Sequence, residues 1–329
     1  RIINIARLIY SMISYSHTIG IASDEGRGFM NPVDIVLDSE NLIYVISRSL
    51  STLKRVRISV QTIDSEFKHE FANWGTEPGQ TIQPTSITID HSDNIYVSDE
   101  FMHNISIFKK DGSFIKRWGE FGNKQGELNR PSGIEIDKEN NILVVDHLNS
   151  RIQKFDLDGN YMFQFGSFGN TEGKLNYPWG IYIDKNNNIW VSDWRNDRIQ
   201  IFDQDGNFLD LFGSSGNGKG KFNRPSDIHI SEKGNIYVSD WGNHRIQIFN
   251  NDKKWIKTLY GDATISKWAK QFLAVNPEQN ELRNKWGNFE EEKKFWQPTS
   301  ICSDTQGNIF ITDSCRQRVQ IYKESQENK

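Results

Sequence analysis

Carboxylates recur in this 329-residue sequence at a fixed interval. Asp99, Asp146, Asp193 and Asp240 follow one another every 47 residues, and Asp313 occupies the matching place further on. Carboxylates in register could surround Ca²⁺, which takes several oxygen ligands. Arg151, Arg198, Arg245 and Arg318, however, each stand five residues after an Asp of the series. A charge-assisted pair across a turn would satisfy both groups, so the spacing favours structural pairing. Asn104 replaces the Arg after Asp99. His17, His69, His91, His103, His147, His229 and His244 fall at unlike places, and no imidazole set with zinc spacing emerges. The segment 213–219 approaches a phosphate loop, but it lacks the Ser or Thr after Lys219 and should join two strands instead of opening a helix. Cys302 and Cys315 have no partner at catalytic or metal spacing, and two cysteines make no disulfide framework. No cofactor is predicted.

The elements that position these groups form a repeat. Pro32, Pro84, Pro131, Pro178, Pro225 and Pro298 each precede a short strand; the three central intervals are 47 residues, the first 52 and the last 73. Residues 178–213 hold four strand-like runs, at 181–183, 189–192, 198–202 and 208–212, separated by Asn/Asp/Gly turns. The unit lacks the 3.6-residue apolar period of a helical repeat. Antiparallel units of four strands, a to d, and of this length are propeller blades. The chain is therefore expected to be an all-β, six-bladed β-propeller, with 1–329 forming one domain. The unit starting at Pro298 supplies three strands and stops. Residues 11–20 repeat the pattern of 208–213, with twelve residues from Gly20 to Pro32 as from Gly213 to Pro225. The N-terminal strand should thus complete the last blade and close the ring, which removes an open sheet edge.

Strand direction alternates, so the b–c turns and the connections between blades share one face. Trp194 and Trp241 occupy equivalent places there, with Trp179 and Tyr177 beside Pro178. Arg48, Glu100, His147 and Ser314 hold the Trp194 place in the other blades, and Arg195, His244, Arg130 and Arg224 are near in sequence. Aromatic faces beside Arg and His suit a sugar, a peptide or a planar ligand. The indoles could equally wedge between blades, although the variety at this place argues against a uniform packing slot. Gly261 to Pro298 spans 37 residues instead of twelve. Within that insertion (262–297), Ile265, Trp268, Phe272 and Val275 recur at helical spacing up to Pro277, and 278–286 offers a second helical segment. A flap carrying Trp268 and Phe272 is expected to leave the Trp-bearing face and cap the channel or dock a partner. The charged run 290–294 reads as a solvated stretch.

The runs Val238-Ser-Asp-Trp-Gly-Asn-His-Arg-Ile-Gln-Ile-Phe249, Val191-Ser-Asp-Trp-Arg-Asn-Asp-Arg-Ile-Gln-Ile-Phe202 and Val144-Val-Asp-His-Leu-Asn-Ser-Arg-Ile-Gln-Lys-Phe155 resemble the NHL repeat. Blades two and six match less closely, and blade one has Ser47 in place of the Asp. The resemblance implies a propeller that serves as an RNA- or protein-binding module, as the sensor of a membrane kinase, or as the zinc-dependent peptidyl-hydroxyglycine amidating lyase. For the lyase it implies zinc-binding histidines directly after the strand-a prolines. Those places hold Val33, Thr85, Ser132, Trp179, Ser226 and Thr299.

A net charge of −4 and a pI near 6.0 argue against nucleic acid as the partner. No apolar run reaches membrane-spanning length. The segment 1–10 is apolar without a cleavage-site pattern, which leaves secreted, periplasmic and cytoplasmic locations open. The expected function is a non-enzymatic binding or scaffold propeller, monomeric as an isolated domain, that recognises a protein, peptide or carbohydrate at the Trp-bearing face. The alternatives are a lyase- or lactonase-type enzyme with Ca or Zn in its channel, and an RNA-binding module.

Overall fold

Six four-stranded antiparallel sheets make up the computed structural model, which describes residues 13–48 and 54–325. Their first strands, Pro32–Leu37, Pro84–Ile89, Pro131–Ile136, Ile181–Ile183, Pro225–Ile230 and Pro298–Ser303, contact one another in succession around a central channel. Five of them begin at proline, a place where a missing N–H costs no ladder bond. The ring closes as the spacing demands. Ile13–Ile19 pairs antiparallel with Arg318–Glu324, setting Ile13 against Glu324 and Ile19 against Val319, and becomes the outer strand of blade six. Residues 11 and 12 of the expected closing segment lie outside the described residues.

The apolar core is divided among the six seams between blades. Strand b of blade four shows why. Ile189 and Val191 pack toward Leu143 and Val145 of blade three, whereas Trp190 packs toward Ile228 and Ile236 of blade five. Alternate side chains therefore serve opposite neighbours, and a middle strand is buried throughout. Each fully buried Val or Ile contributes about 1.5–3 kcal/mol relative to exposure.

Buried charge pairs lock the b–c hairpins. Asp146, Asp193, Asp240 and Asp313 have no exposed surface. They pair with Arg151, Arg198, Arg245 and Arg318 at 2.7, 2.8, 2.7 and 2.7 Å. The same guanidinium groups donate to carbonyls of the preceding connection; Arg198 reaches Asn170, Thr171 and Lys174. Asp99, which has no such Arg, accepts the main-chain N–H of Ile82, Gln83, Phe101 and Met102 instead. The aspartate series is thus engaged in structure.

Blade five departs from the a–b turn rule. Asp38, Asp90, Asp184 and Asp304 each accept N–H groups from two and four residues onward. Ser231 holds that place in blade five, and Glu324 arrives from blade six to replace the carboxylate. Ser231 Oγ, Asn235 Nδ2 and Tyr237 Oη donate to its Oε1 at 3.0, 2.9 and 2.5 Å.

The insertion forms three helices: α1 (Lys267–Val275), α2 (Pro277–Trp286) and α3 (Phe289–Lys293). Ser266 Oγ accepts the Ala269 N–H and caps α1, so the helix starts later than the apolar spacing suggests. Pro277 ends α1 and also opens α2. The charged run 290–294 is mostly exposed, as expected, and overlaps α3, where Arg318 donates to the carbonyls of Glu292 and Lys294.

The flap itself lies elsewhere than expected. Trp268 Nε1 donates to the Ser65 carbonyl at 2.7 Å, Arg27 stacks 3.6 Å over its ring, and Lys267 pairs with Glu66. Ser65 belongs to the c–d turn of blade one, across the ring from blade four. The Tyr15 hydroxyl of the closing strand accepts the Thr264 N–H and draws the insertion outward. α1 therefore runs along the rim where blades six and one meet, away from the Trp-bearing face, whereas α3 stays beside the b–c turn of blade six, where Arg316 donates to the Glu291 carbonyl. Phe272 lies 48% exposed and Trp286 75% exposed on the insertion.

Candidate functional site

The local backbone explains which side chains reach the face of the disc. Trp194–Asn196 and Trp241–Asn243 form short 3₁₀ turns that start from the buried Asp193 and Asp240. The turns end on left-handed residues. His103, Ser150, Asp197 and His244 have φ of 56°, 52°, 53° and 56°. Each accepts, through its side chain, the N–H of the residue before the next proline: Arg130, Tyr177, Arg224 and Gln297. Those four are also left-handed, with φ of 55°, 50°, 54° and 57°. Such backbone is uncommon without glycine and here is held by the cap.

Tyr177, His147, Trp179, Trp194 and Trp241 come together as one aromatic platform over blades three to five. His147 lies 5.5 Å from Tyr177, 5.0 Å from Trp179 and 6.4 Å from Trp194 between ring centroids. Trp194 is 6.3 Å from Trp179 and 6.2 Å from Trp241, at 37° and 56° between planes. The three indoles are half-buried. His147 Nδ1 bonds the Pro178 carbonyl at 2.9 Å, which places the proton on that nitrogen. Burial, helped by Arg130 and Arg195, lowers its pKa and keeps the ring neutral. Arg195 sits 5.2 Å from the Tyr177 ring and 5.6 Å from Trp194, and Arg224 sits 4.9 Å from Trp194.

The remaining expected site residues lie apart. Arg48 and Glu100 pair with each other at 2.9 Å between blades one and two. His244 Nδ1 is occupied by the Gln297 N–H, at 3.1 Å, and serves the seam between blades five and six. Trp268 and Phe272 lie on the rim with the insertion.

Below the platform the innermost strands enclose a channel cavity of about 220 Å³. The places directly after the prolines are structural: Thr85, Ser226 and Thr299 donate to backbone carbonyls of the next blade's innermost strand, and Ser132 donates to the Trp179 carbonyl just ahead of that of blade four. Gly133 and Gly180 allow a closer approach, since a Cβ on them would sit 2.6 Å from the Trp179 carbonyl oxygen and 2.4 Å from that of Ser226. Blade four's inner strand thereby starts late, at Ile181, and leaves Trp179 at the channel mouth.

Side chains two and four places after the prolines line the channel, among them Asp34, Asp227, Glu135, His229 and Cys302. Asp34 accepts the Ile87 N–H and the Ser300 hydroxyl, and Asp227 accepts the Ile301 N–H at 2.8 Å. Burial raises the pKa of both; Asp34 is a further cause for Asp227. Burial and then repulsion from Asp227 and Asp34 push Glu135 up to about 8. His229, bonded to Ser303 Oγ at 2.7 Å, is lowered to about 4 by burial. Burial, then Asp34 and Asp227, raises the Cys302 thiol well above its ordinary range. Among the described residues, no group of three or more His, Cys, Asp or Glu side chains converges as a metal site.

A family model described as "6-bladed beta-propeller" matches residues 60–165 and 181–327. The chain belongs to that family. A second model, the SMP-30/Gluconolactonase/LRE-like region, matches residues 119–213 of this six-bladed propeller. Comparison with curated proteins gives no match. Among solved structures it is similar to virginiamycin B lyase from Staphylococcus aureus, in a catalytically inactive form with quinupristin. That match has 13% identity, 95% of this chain and 100% of the other, and a TM-score of 0.60. A Bacteroides thetaiotaomicron protein of unknown function matches at 15% identity, over 95% of this chain and 76% of the other, with a TM-score of 0.65. A chain of a nidogen/laminin complex matches at 18% identity, over 69% and 79%, with a TM-score of 0.53. At these identities the likeness is one of fold.

The six-bladed propeller therefore carries two chemically distinct zones along its axis. The mouth offers flat aromatic surface and free guanidinium groups, which suit recognition. The channel offers carboxyl groups in poorly hydrated surroundings. Reasoning from the places next to the prolines missed Asp34, Glu135 and Asp227, although each was readable as an acidic residue two or four places into a strand otherwise rich in Ser, Thr and Ile.

Proposed function

We propose that this propeller is a non-enzymatic binding module whose ligand, a carbohydrate chain or a peptide, lies across the aromatic platform. The carrying observation is the unbroken row Tyr177, His147, Trp179, Trp194 and Trp241, in which each ring is within 6.4 Å of the next. Several groups that could act as acids or bases are committed elsewhere. His147 donates to Pro178, four aspartates of the series pair with arginine while Asp99 accepts main-chain N–H groups, and Asp34 and Asp227 bond backbone N–H groups of neighbouring blades. The repeated Asp, Arg and Gln of the b–c hairpins support an NHL-type reading within the six-bladed family. A propeller of this fold in a nidogen/laminin complex agrees with a recognition role. The test is capture on immobilised oligosaccharides and peptides by the wild type and by Trp194→Ala and Trp241→Ala. Both variants should keep a cooperative melt and lose capture; undiminished capture would refute the platform.

Glu135 favours a second reading. A carboxyl group held neutral to about pH 8 beside Asp227 and Asp34 could act as a general acid in a lyase- or lactonase-type reaction. The lactonase-like match at 119–213 includes it.

A further inference from the structure

The arginines around the platform differ from most others in the protein. Eight described arginines sit in ion pairs. Arg130, Arg195 and Arg224 are exposed, and among the described residues none of them has an ion-pair partner. Of the two acidic residues nearest Arg195 in sequence, Asp193 pairs with Arg198 and Asp197 spends Oδ1 on the Arg224 main-chain N–H at 2.7 Å. Three free guanidinium groups around one set of rings stand out on a chain with net charge −4. Their mutual repulsion is relieved by an anion, and the planar fork of Arg fits a carboxylate through two parallel bonds.

We infer that the ligand is an acidic saccharide, with a sugar ring lying on Trp194 and its carboxylate held between Arg195 and Arg224. This rests on the platform reading and names the ligand class for it. The ring of Trp194 supplies the flat apolar surface, and the two guanidinium carbons lie 5.6 and 4.9 Å from its centroid, close enough to reach a group on the stacked ring. A peptide recognised by main-chain pairing needs a free strand edge, whereas this face consists of turns and connections. A stacked sugar needs no such edge.

The experiment compares an oligogalacturonide with its methyl ester, which keeps the sugar and removes the charge, by titration calorimetry at low and high salt. The acid should bind about tenfold more tightly than the ester at low salt, with the advantage shrinking as salt screens it. Arg195→Ala and Arg224→Ala should each weaken the acid roughly two- to fivefold and the ester by a smaller factor, so that the acid-to-ester preference falls. Arg195→Lys should restore part of the loss, since it keeps charge but not the fork. Equal affinity for acid and ester overturns the inference while sparing the platform, as does selective capture of acidic peptides. Failure to bind either saccharide also overturns it, and the peptide half of the capture panel then judges the platform. A failure of the platform itself is recognised differently, as Trp194→Ala binding both saccharides like the wild type.

Discussion

Replacing Arg198 by Ala should destabilise blade four by about 3 kcal/mol. Removing one partner of a buried pair typically costs about 3–5 kcal/mol, because the remaining charge has lost its compensation. Asp193 is fully buried, and among the described residues Arg198 Nε is its one cationic donor, at 2.8 Å. The carbonyls of Asn170, Thr171 and Lys174 lose their guanidinium donor at the same time. Three donors stay with Asp193: the Asn176 N–H, Asn196 Nδ2 and Gln200 Nε2. They place the effect at the lower end of the range. Blade two supplies an internal comparison, since among the described residues no arginine bonds Asp99 directly: it holds four main-chain N–H groups, while Arg117 from the outer strand donates to the Thr76, Glu77 and Gln80 carbonyls. With about 2.1 cal/mol/K of unfolding entropy per residue, a chain of 329 residues shifts by about 1.5 °C per kcal/mol, so Tm should fall by about 4–5 °C. Thermal and urea unfolding followed by circular dichroism measure it, and Asp193→Asn in the Arg198→Ala background should recover part of the loss. A decrease below about 1 kcal/mol with an unchanged urea slope would refute the view that these pairs hold the hairpins.

Other expectations follow from the channel and the seam. Glu135 has a folded-state pKa of about 8, above its ordinary 4.5, so its favourable contribution is complete below 4.5 and is lost as pH rises toward 8. Glu135→Gln should therefore gain Tm relative to the wild type progressively between pH 4.5 and 8; a constant offset across that window counts against the burial. Glu324→Ala leaves Ser231, Asn235 and Tyr237 without their shared acceptor and should cost about 2–4 kcal/mol, with Glu324→Gln milder. Hydrogen exchange should accelerate locally at the a–b turn of blade five; unchanged protection there would show that the latch is not needed.

Much of the ring was legible because its contacts repeat. The Asp–Arg spacing of five residues places both groups across one tight hairpin, and 47-residue intervals carry that hairpin from blade to blade. The closing strand was legible for a similar reason: Gly20 and Pro32 reproduce the distance between Gly213 and Pro225. The course of the insertion was not, since it depends on Tyr15 meeting Thr264 and Trp268 meeting Ser65, pairs 249 and 203 residues apart. The apolar spacing of α1 was read correctly as a helix, but spacing carries no information on which rim the helix reaches. The channel carboxylates escaped for a local reason. A register shift separates Pro32 from Asp34 and Pro225 from Asp227, so alternation counted from the proline does not show which side chains face the axis. His244 was grouped with Trp241 by sequence proximity, yet its left-handed backbone turns it toward the next connection.

The central claim is that ligand lies on the indoles of blades four and five. Tryptophan Nε1–H resonances, assigned by single Trp→Phe replacements and followed during titration with oligogalacturonide and with the peptides of the capture panel, test it most directly. Trp179, Trp194 and Trp241 should shift together and saturably, while Trp268, whose Nε1 is tied to the Ser65 carbonyl, stays in place. Shifts confined to Trp268 and Trp286 on the rim insertion, with the three platform indoles unmoved at saturation, would contradict the account.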